Sequence, residues 1–291
     1  MKTKFFILGL AMSLMTISCS RNEKDSSTIT ADEASVNAKM DQANDDVSSI
    51  VEDQEAATYS NSSNGKSTEV ATTTYPIVTR VPAFGTPPTV GQTVTKTIDY
   101  GTTGVTLANG NVLKGVIIIS FVYDPTATSH TINYTFQNFY HNSIKFDGNK
   151  TFTRTMTTAT ATSISHPIVT MNMDMTATFP DGRVFNRVGS RTREIIAGYD
   201  TPNVMADNIY QVTGSWTTTF PNTVEQTSTI TTPLEVKMSC ANVNKPLIVQ
   251  GVITIVRNSH TATLDYGNGD CDNLAVFTIN GVSYNIVIGG N

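Results

Sequence analysis

From about residue 94 to its end, the chain is a succession of short segments rich in β-branched and aromatic residues. Such residues favour pleated strands with one buried face. In the segment 168–179 apolar and polar residues alternate strictly, with methionines at 171, 173 and 175 on one side and polar residues on the other. This alternation predicts strands that have one face in a core and one in water, as in antiparallel sheets.

The connections between these segments also favour antiparallel pairing. Parallel strands need crossovers of about a dozen residues or more, and the gaps here are too short. Four gaps contain dipeptides typical of tight hairpin turns, namely Asn109-Gly110, Asp147-Gly148, Asp181-Gly182 and Asn280-Gly281. We therefore expect an all-β fold, a long antiparallel meander forming a curved sheet, a sandwich or a barrel, preceded by one short acidic helix.

The segment 31–57 predicts that helix. Its apolar residues recur at spacings of three and four, and the rest of its surface is acidic. Thr30 and Glu33 have the spacing of a capping box at its start. Because the apolar stripe is narrow, we expect the helix either to pack weakly on the β domain or to serve as a semi-rigid stalk.

The beginning of the chain has the pattern of a signal peptide. Lys2 and Lys4 precede an uncharged apolar run at 5–17, which is too short to span a membrane. Ser18-Cys19 follows, and Cys19 is either an accidental cysteine beside an ordinary cleavage site or the lipidated cysteine of a lipobox, although Thr16 stands where leucine is usual. The polar residues after it suit a tether, so we expect Cys19 to carry lipid and to hold the protein on a membrane.

These expectations divide the chain into five parts. They are a lipoprotein signal peptide at 1–18, a tether at 19–30, the acidic helix at 31–57, a flexible Ser/Thr/Pro-rich linker at 58–90 and the antiparallel β domain at 91–291. With Cys19 lipidated, Cys240 and Cys271 remain. Since an exported protein meets an oxidising environment, we expect a disulfide between them, the alternative being two buried thiols.

Composition and motifs exclude some functions. The formal net charge is −5, which argues against a nucleic-acid partner. The sequence has no nucleophile elbow, no glycine-rich phosphate loop and no close histidine pair, so we expect a protein without catalysis and without a cofactor. One stretch near the C-terminus is rich in oxygen ligands and suits calcium or an ordinary turn. Its candidate ligands are Asp265, Asn268, Asp270 and Asp272.

Four arginines stand at odd-numbered positions in one predicted strand and therefore share a face. They are Arg183, Arg187, Arg191 and Arg193. A row of guanidinium groups suits an anionic ligand such as a phosphate, a lipid headgroup or an acidic sugar. The alternative is a solvent-facing ladder paired across strands with Asp and Glu.

Several of these motifs together resemble a family. The cysteine at 19, the acidic helix, the Asp-Tyr-Gly sequences at 99–101 and 265–267, and the segments 181–201, 230–240 and 265–273 are similar to uncharacterised envelope lipoproteins common in Bacteroidota. The resemblance covers most of the chain after residue 18 and is most specific in DYGNGDCDN. It implies an envelope lipoprotein, with the outer membrane as the expected site, and supplies no activity and no site residues.

Three functions follow as hypotheses. The first is a membrane-anchored lipoprotein with a non-catalytic binding or structural β domain, whose partner is a glycan, a lipid or a protein. The second is a periplasm-facing carrier of lipid or lipoprotein, in which a curved sheet encloses an apolar cavity. The third is a hydrolase of unknown substrate.

Overall fold

A computed structural model describes residues 28–62, 74–160, 164–201 and 204–288. The expected signal peptide, Cys19 and most of the expected tether lie outside the described residues, as do residues 63–73 of the linker expected at 58–90. No helix in the described ranges combines the length and apolar character that crossing a membrane requires.

The described chain forms one α-helix, two short 3-10 helices and one fourteen-stranded sheet. Helix α1 spans Ala31–Ser62, five residues beyond the expected end at 57. The strands are β1 Ile77–Val81, β2 Thr93–Asp99, β3 Val105–Thr106, β4 Val112–Val122, β5 Ser129–His141, β6 Ile144–Met156, β7 Pro167–Thr178, β8 Val184–Ala197, β9 Ile209–Thr219, β10 Glu225–Lys237, β11 Ile248–Arg257, β12 His260–Asn268, β13 Leu274–Ile279 and β14 Val282–Val287. Two 3-10 helices, Met205–Asp207 and Met238–Val243, connect strands.

The sheet is an antiparallel meander. Each strand pairs with its neighbour in the chain, except that β2 pairs with β4 and the two-residue β3 also pairs with β4. Strands β1 and β14 are the two edges of one open sheet. The expected all-β antiparallel fold is confirmed, and of the three forms considered the structure has the single curved sheet. β1 lies inside the segment expected to be a linker.

The strand alternation divides the sheet into a concave and a convex face. In β7 the methionines 171, 173 and 175 are buried on the concave side, while Asn172 and Asp174 are exposed on the convex side. Three of the four expected turn dipeptides lie between strands. The fourth, Asp147-Gly148, was wrongly expected to be a turn, because it lies inside β6, where Gly148 packs against the backbone of Asp174 too closely for any Cβ. The β5–β6 turn is at 142–143 instead.

Helix α1 lies along the concave face of the sheet. Its start has the expected capping box, because the Thr30 amide donates to Glu33 Oε2 at 2.9 Å and the Glu33 amide to Thr30 Oγ1 at 3.3 Å. The apolar stripe of Val36, Met40 and Val47 belongs to the core. The acidic side is buried too, including Asp41 and Asp45. Neither weak packing nor a stalk describes this helix, since the sheet surrounds it with partners for its charges.

Candidate functional site

The four predicted arginines lie on the concave side of the sheet, and three are buried. Arg187, Arg191 and Arg193 are 0%, 2% and 6% exposed, while Arg183 is partly exposed at the β7–β8 turn. A solvent-facing ladder is therefore wrong for those three. Their anionic partners come from α1 of the same chain. Whether they ever hold an external anion stays a prediction.

Asp41 is the centre of this buried cluster. Its Oδ1 accepts hydrogen bonds from Arg187 Nη1 at 2.6 Å and from Arg191 Nη2, and its Oδ2 accepts one from Tyr266 Oη at 3.1 Å. One helical turn earlier, the side chain of Asn37 accepts from Arg187 Nη2 at 2.6 Å. One carboxylate thus joins two guanidinium groups of β8 to a phenol of β12. A buried charge requires this degree of pairing.

Aromatic rings lie under the guanidinium groups. The Arg191 and Arg187 guanidinium carbons lie 4.0 Å and 5.1 Å from the Trp216 ring centroid, and that of Arg193 lies 3.5 Å from the Tyr210 ring centroid. Since Trp216 is the only tryptophan of the chain and is 2% exposed, its fluorescence reports on this cluster. The rings provide a face that attracts the cations and excludes water.

The pairing of helix with sheet continues along the whole of α1. Asp46 accepts hydrogen bonds from Asn109 at 2.7 Å and Asn111 at 2.8 Å, and it lies 2.7 Å from His141 Nε2. Farther along the helix, Arg193 Nη1 donates to Glu52 at 3.2 Å. In this C-terminal half of α1, Arg154 pairs with Glu55 at 3.4 Å and Lys96 Nζ donates to the Gln54 carbonyl at 2.6 Å.

Burial changes the pKa of two groups in the centre of this interface. Desolvation raises the pKa of the Asp45 carboxyl to about 6, against the opposing attraction of Arg191 and Arg193. Desolvation lowers the pKa of the Lys150 ammonium to about 7, helped by the positive charges of Arg191 and Arg187. Lys150 Nζ donates to Asn44 Oδ1 at 2.5 Å. With these shifts, both groups change charge near neutral pH.

The C-terminal motif has a structural role in the described residues. Cys240 and Cys271 form the expected disulfide, with their Cα atoms 5.3 Å apart. Asp265 Oδ1 accepts from the Gly267 amide and Asp272 Oδ1 from the Leu274 amide, both at 2.9 Å. These bonds are turn chemistry. Within the described ranges, no three His, Cys, Asp or Glu side chains converge as metal ligands, so the structure adds no support for calcium at Asp265, Asn268, Asp270 and Asp272.

The convex face carries an arrangement that sequence patterns did not reveal. Each of the twelve strands from β2 to β14, apart from β3, contributes one serine, threonine or asparagine to an unbroken row. Each member of this row is the register partner of the member on the next strand. We call this set the polar row. Its members are Thr95, Ser120, Asn133, Thr151, Asn172, Ser190, Ser215, Thr229, Thr254, Thr263, Thr278 and Ser283.

The polar row is wide, uncharged and accessible. Neighbouring strands are about 4.8 Å apart, so hydroxyl or amide groups recur at that spacing across the sheet. All twelve side chains are partly or fully exposed. Five threonines form a second row beside it on β5 to β9, at 131, 153, 170, 192 and 213. Where Asn172, Ser190 and Ser215 meet, the surface has a shallow groove of about 450 Å³.

No protein-family model, no curated protein and no solved structure matches this chain. The resemblance to envelope lipoproteins therefore stays a prediction, and the geometry of the chain itself must support any function.

We predict that Asp41 is essential for stability, whereas an exposed ion pair between the same helix and the segment leading into β8 is not. Replacing Asp41→Asn leaves two buried guanidinium groups without their carboxylate, so the free energy of unfolding should fall by about 3–5 kcal/mol. The control is Asp32→Asn, which removes the exposed partner of Arg183 and should cost about 1 kcal/mol or less. Urea unfolding followed by Trp216 fluorescence measures both. Equal losses in the two variants would contradict a central role for Asp41.

We also predict that Asp45 makes stability depend on pH. Its folded pKa of about 6 exceeds its usual 3.8, so the folded state retains a proton that the unfolded state loses. The stability that this proton contributes is present below pH ~4 and is lost as the pH rises to ~6. Relative to wild type, Asp45→Asn should therefore gain roughly 2–3 kcal/mol between these pH values, at about 1.36 kcal/mol per pKa unit. Urea unfolding at several pH values tests this, and a difference that stays constant with pH would exclude it.

Proposed function

We propose that the protein is a lipid-anchored protein of the bacterial cell envelope whose β domain binds an uncharged glycan on its convex face, without catalysis. The polar row is the observation that supports glycan binding. The anchor rests on the basic, apolar and Ser18-Cys19 pattern at the start of the chain.

The chemistry of the polar row favours a neutral partner rich in hydroxyl groups. Serine, threonine and asparagine each both donate and accept hydrogen bonds, as sugar hydroxyls do. None of the twelve side chains is charged, so the row offers no specific attraction to phosphate or carboxylate. The groove at Asn172, Ser190 and Ser215 provides a place where one strand of sugar rings would make several such bonds at once.

The concave face supports a binding site on the convex face, because helix α1 already covers the concave one. A carrier would hold its cargo against the methionines 171, 173 and 175, yet these side chains are buried in the core that α1 shares with the sheet. Ser48 of the helix, for example, contacts the sulfur of Met171 at 4.0 Å. Cargo in that position would have to displace the helix and expose its buried carboxylates. The convex face is available without that cost.

The anchor is tested by fractionation. Cys19→Ala removes the thiol that would receive lipid, so the protein should move from the membrane fraction to the soluble fraction. Ser20→Ala changes the neighbouring residue and keeps the thiol, so that variant should remain in the membrane fraction. A Cys19→Ala protein that still sediments with membranes would overturn the anchor.

Glycan binding is tested separately, by the retardation of the protein in native gels that contain dextran, glucomannan or arabinogalactan, with anionic alginate as a comparison. We expect retardation by at least one neutral polysaccharide and a loss of at least fivefold in affinity for Ser190→Glu, which places a charge in the middle of the row. The control Ile196→Glu introduces the same charge on the same strand and face, outside the row, and should bind normally.

Two outcomes would contradict the glycan part. One is that no neutral polysaccharide retards the protein, and the other is that Ser190→Glu and Ile196→Glu bind alike. Protease treatment of intact cells, with a known periplasmic protein as the control, then shows on which side of the outer membrane the β domain lies.

A further inference from the structure

A cavity of about 520 Å³ opens beside the first half of helix α1. Its walls come from α1, the β5–β6 turn, the β7–β8 turn and the end of β14. We call it the window cavity, because Lys39 in its wall is the only exposed residue of the helix between 34 and 49. The volume is within the range of roughly 300–1,000 Å³ that small-molecule sites occupy.

We propose that the window cavity binds an amphiphile with an anionic head group and a hydrocarbon tail. The two halves of its wall support this ligand chemistry independently, and neither belongs to the polar row.

The polar half of the wall is positive and rich in donors. Lys39 contributes an ammonium group, and the described residues that line the cavity include no aspartate or glutamate. Lys39 also forms no ion pair with a carboxylate in the described part of the chain. Asp46 lies behind His141, and its two oxygens are engaged by His141, Asn109 and Asn111. An anion entering the cavity therefore meets a cation without a competing carboxylate in the wall.

A buried donor lies one helical turn from Lys39. Gln42 lines the cavity and is 5% exposed, and its side-chain Nε2 has no hydrogen-bond partner among the described residues. A buried amide without a partner is costly, and an anionic oxygen is the acceptor that compensates it best. Ser35, on the same side of the helix one turn before Lys39, adds a hydroxyl.

The other half of the wall is apolar. Phe179 and Pro180 come from the β7–β8 turn, Ile144 from the start of β6, and Ile286 and Val287 from the edge strand β14. Side chains of this kind suit a hydrocarbon chain and would gain nothing from a small inorganic anion alone. The pairing of one cationic side with one apolar side is what distinguishes an amphiphile site from a simple anion site.

The probe is laurate below its micellar concentration, titrated calorimetrically into the full chain carrying Cys19→Ala. We expect binding that weakens at least tenfold in Lys39→Met and also weakens in Gln42→Leu. Lys245→Met, which removes a lysine charge in the β10–β11 connection, is the matched control and should bind as the parent does. Dodecyltrimethylammonium, with the same chain and the opposite charge, should not bind.

A second arm identifies where the amphiphile comes from. Vesicles of phosphatidylglycerol and phosphatidylcholine are sedimented with the same proteins. Laurate binding that depends on Lys39 indicates a free amphiphile, whereas Lys39-dependent binding to the vesicles alone indicates an anionic lipid held in a membrane. The proposal is overturned if neither probe binds, or if Lys39→Met and Lys245→Met behave alike. Because no readout uses a glycan or the lipid anchor, these outcomes are independent of the proposed function.

Discussion

The rest of the structure depends on the burial of an acidic helix against a basic concave sheet. Asp41 alone joins Arg187, Arg191 and Tyr266, and all four side chains are removed from water. Two guanidinium groups inside an apolar face would be unfavourable without that carboxylate, and the carboxylate would be unfavourable without them. The helix and the sheet therefore require each other. The helix cannot act as a stalk, and among the described residues its side chains fill the core on the concave side of the sheet.

Because the helix covers the concave face, the convex face is the one available for binding. Successive side chains of a strand point to opposite faces of the sheet, so the neighbours of each helix-facing residue lie on the convex face. There the sheet has small uncharged polar side chains in register, strand after strand. Threonine favours strands in general, so the evidence for binding is the arrangement of these side chains and not their presence. Their alignment into a continuous row over twelve strands, with a groove where three of them meet, is the feature that suits an extended neutral ligand.

The sequence predicted what is local and missed what is long-range. The alternation of β7, the turn at Asp181-Gly182 and the capping box of Thr30 and Glu33 each depend on residues close in the chain, and they are present as expected. The disulfide was also predicted, from the oxidising environment expected for an exported protein and from the two cysteines that remain besides Cys19. The docking of α1 was not, because its partners lie 42 to 225 residues away along the chain and only the folded sheet brings them together. Strand register likewise decides the polar row, and no single strand contains that information.

The window cavity is one place where the helix and the sheet are both accessible. A ligand bound there would contact the helix at Lys39 and Gln42, strand β14 at Ile286 and the β7–β8 turn at Phe179, so it would bind only the docked arrangement. By mass action such a ligand stabilises that arrangement, by about 2.7 kcal/mol when its concentration is one hundred times its dissociation constant. The ligand would also lie close to His141, which lines the cavity and forms a hydrogen bond with Asp46 of the helix. A ligand in the window cavity and the docking of the helix on the sheet would therefore favour each other, because the ligand would contact residues of both.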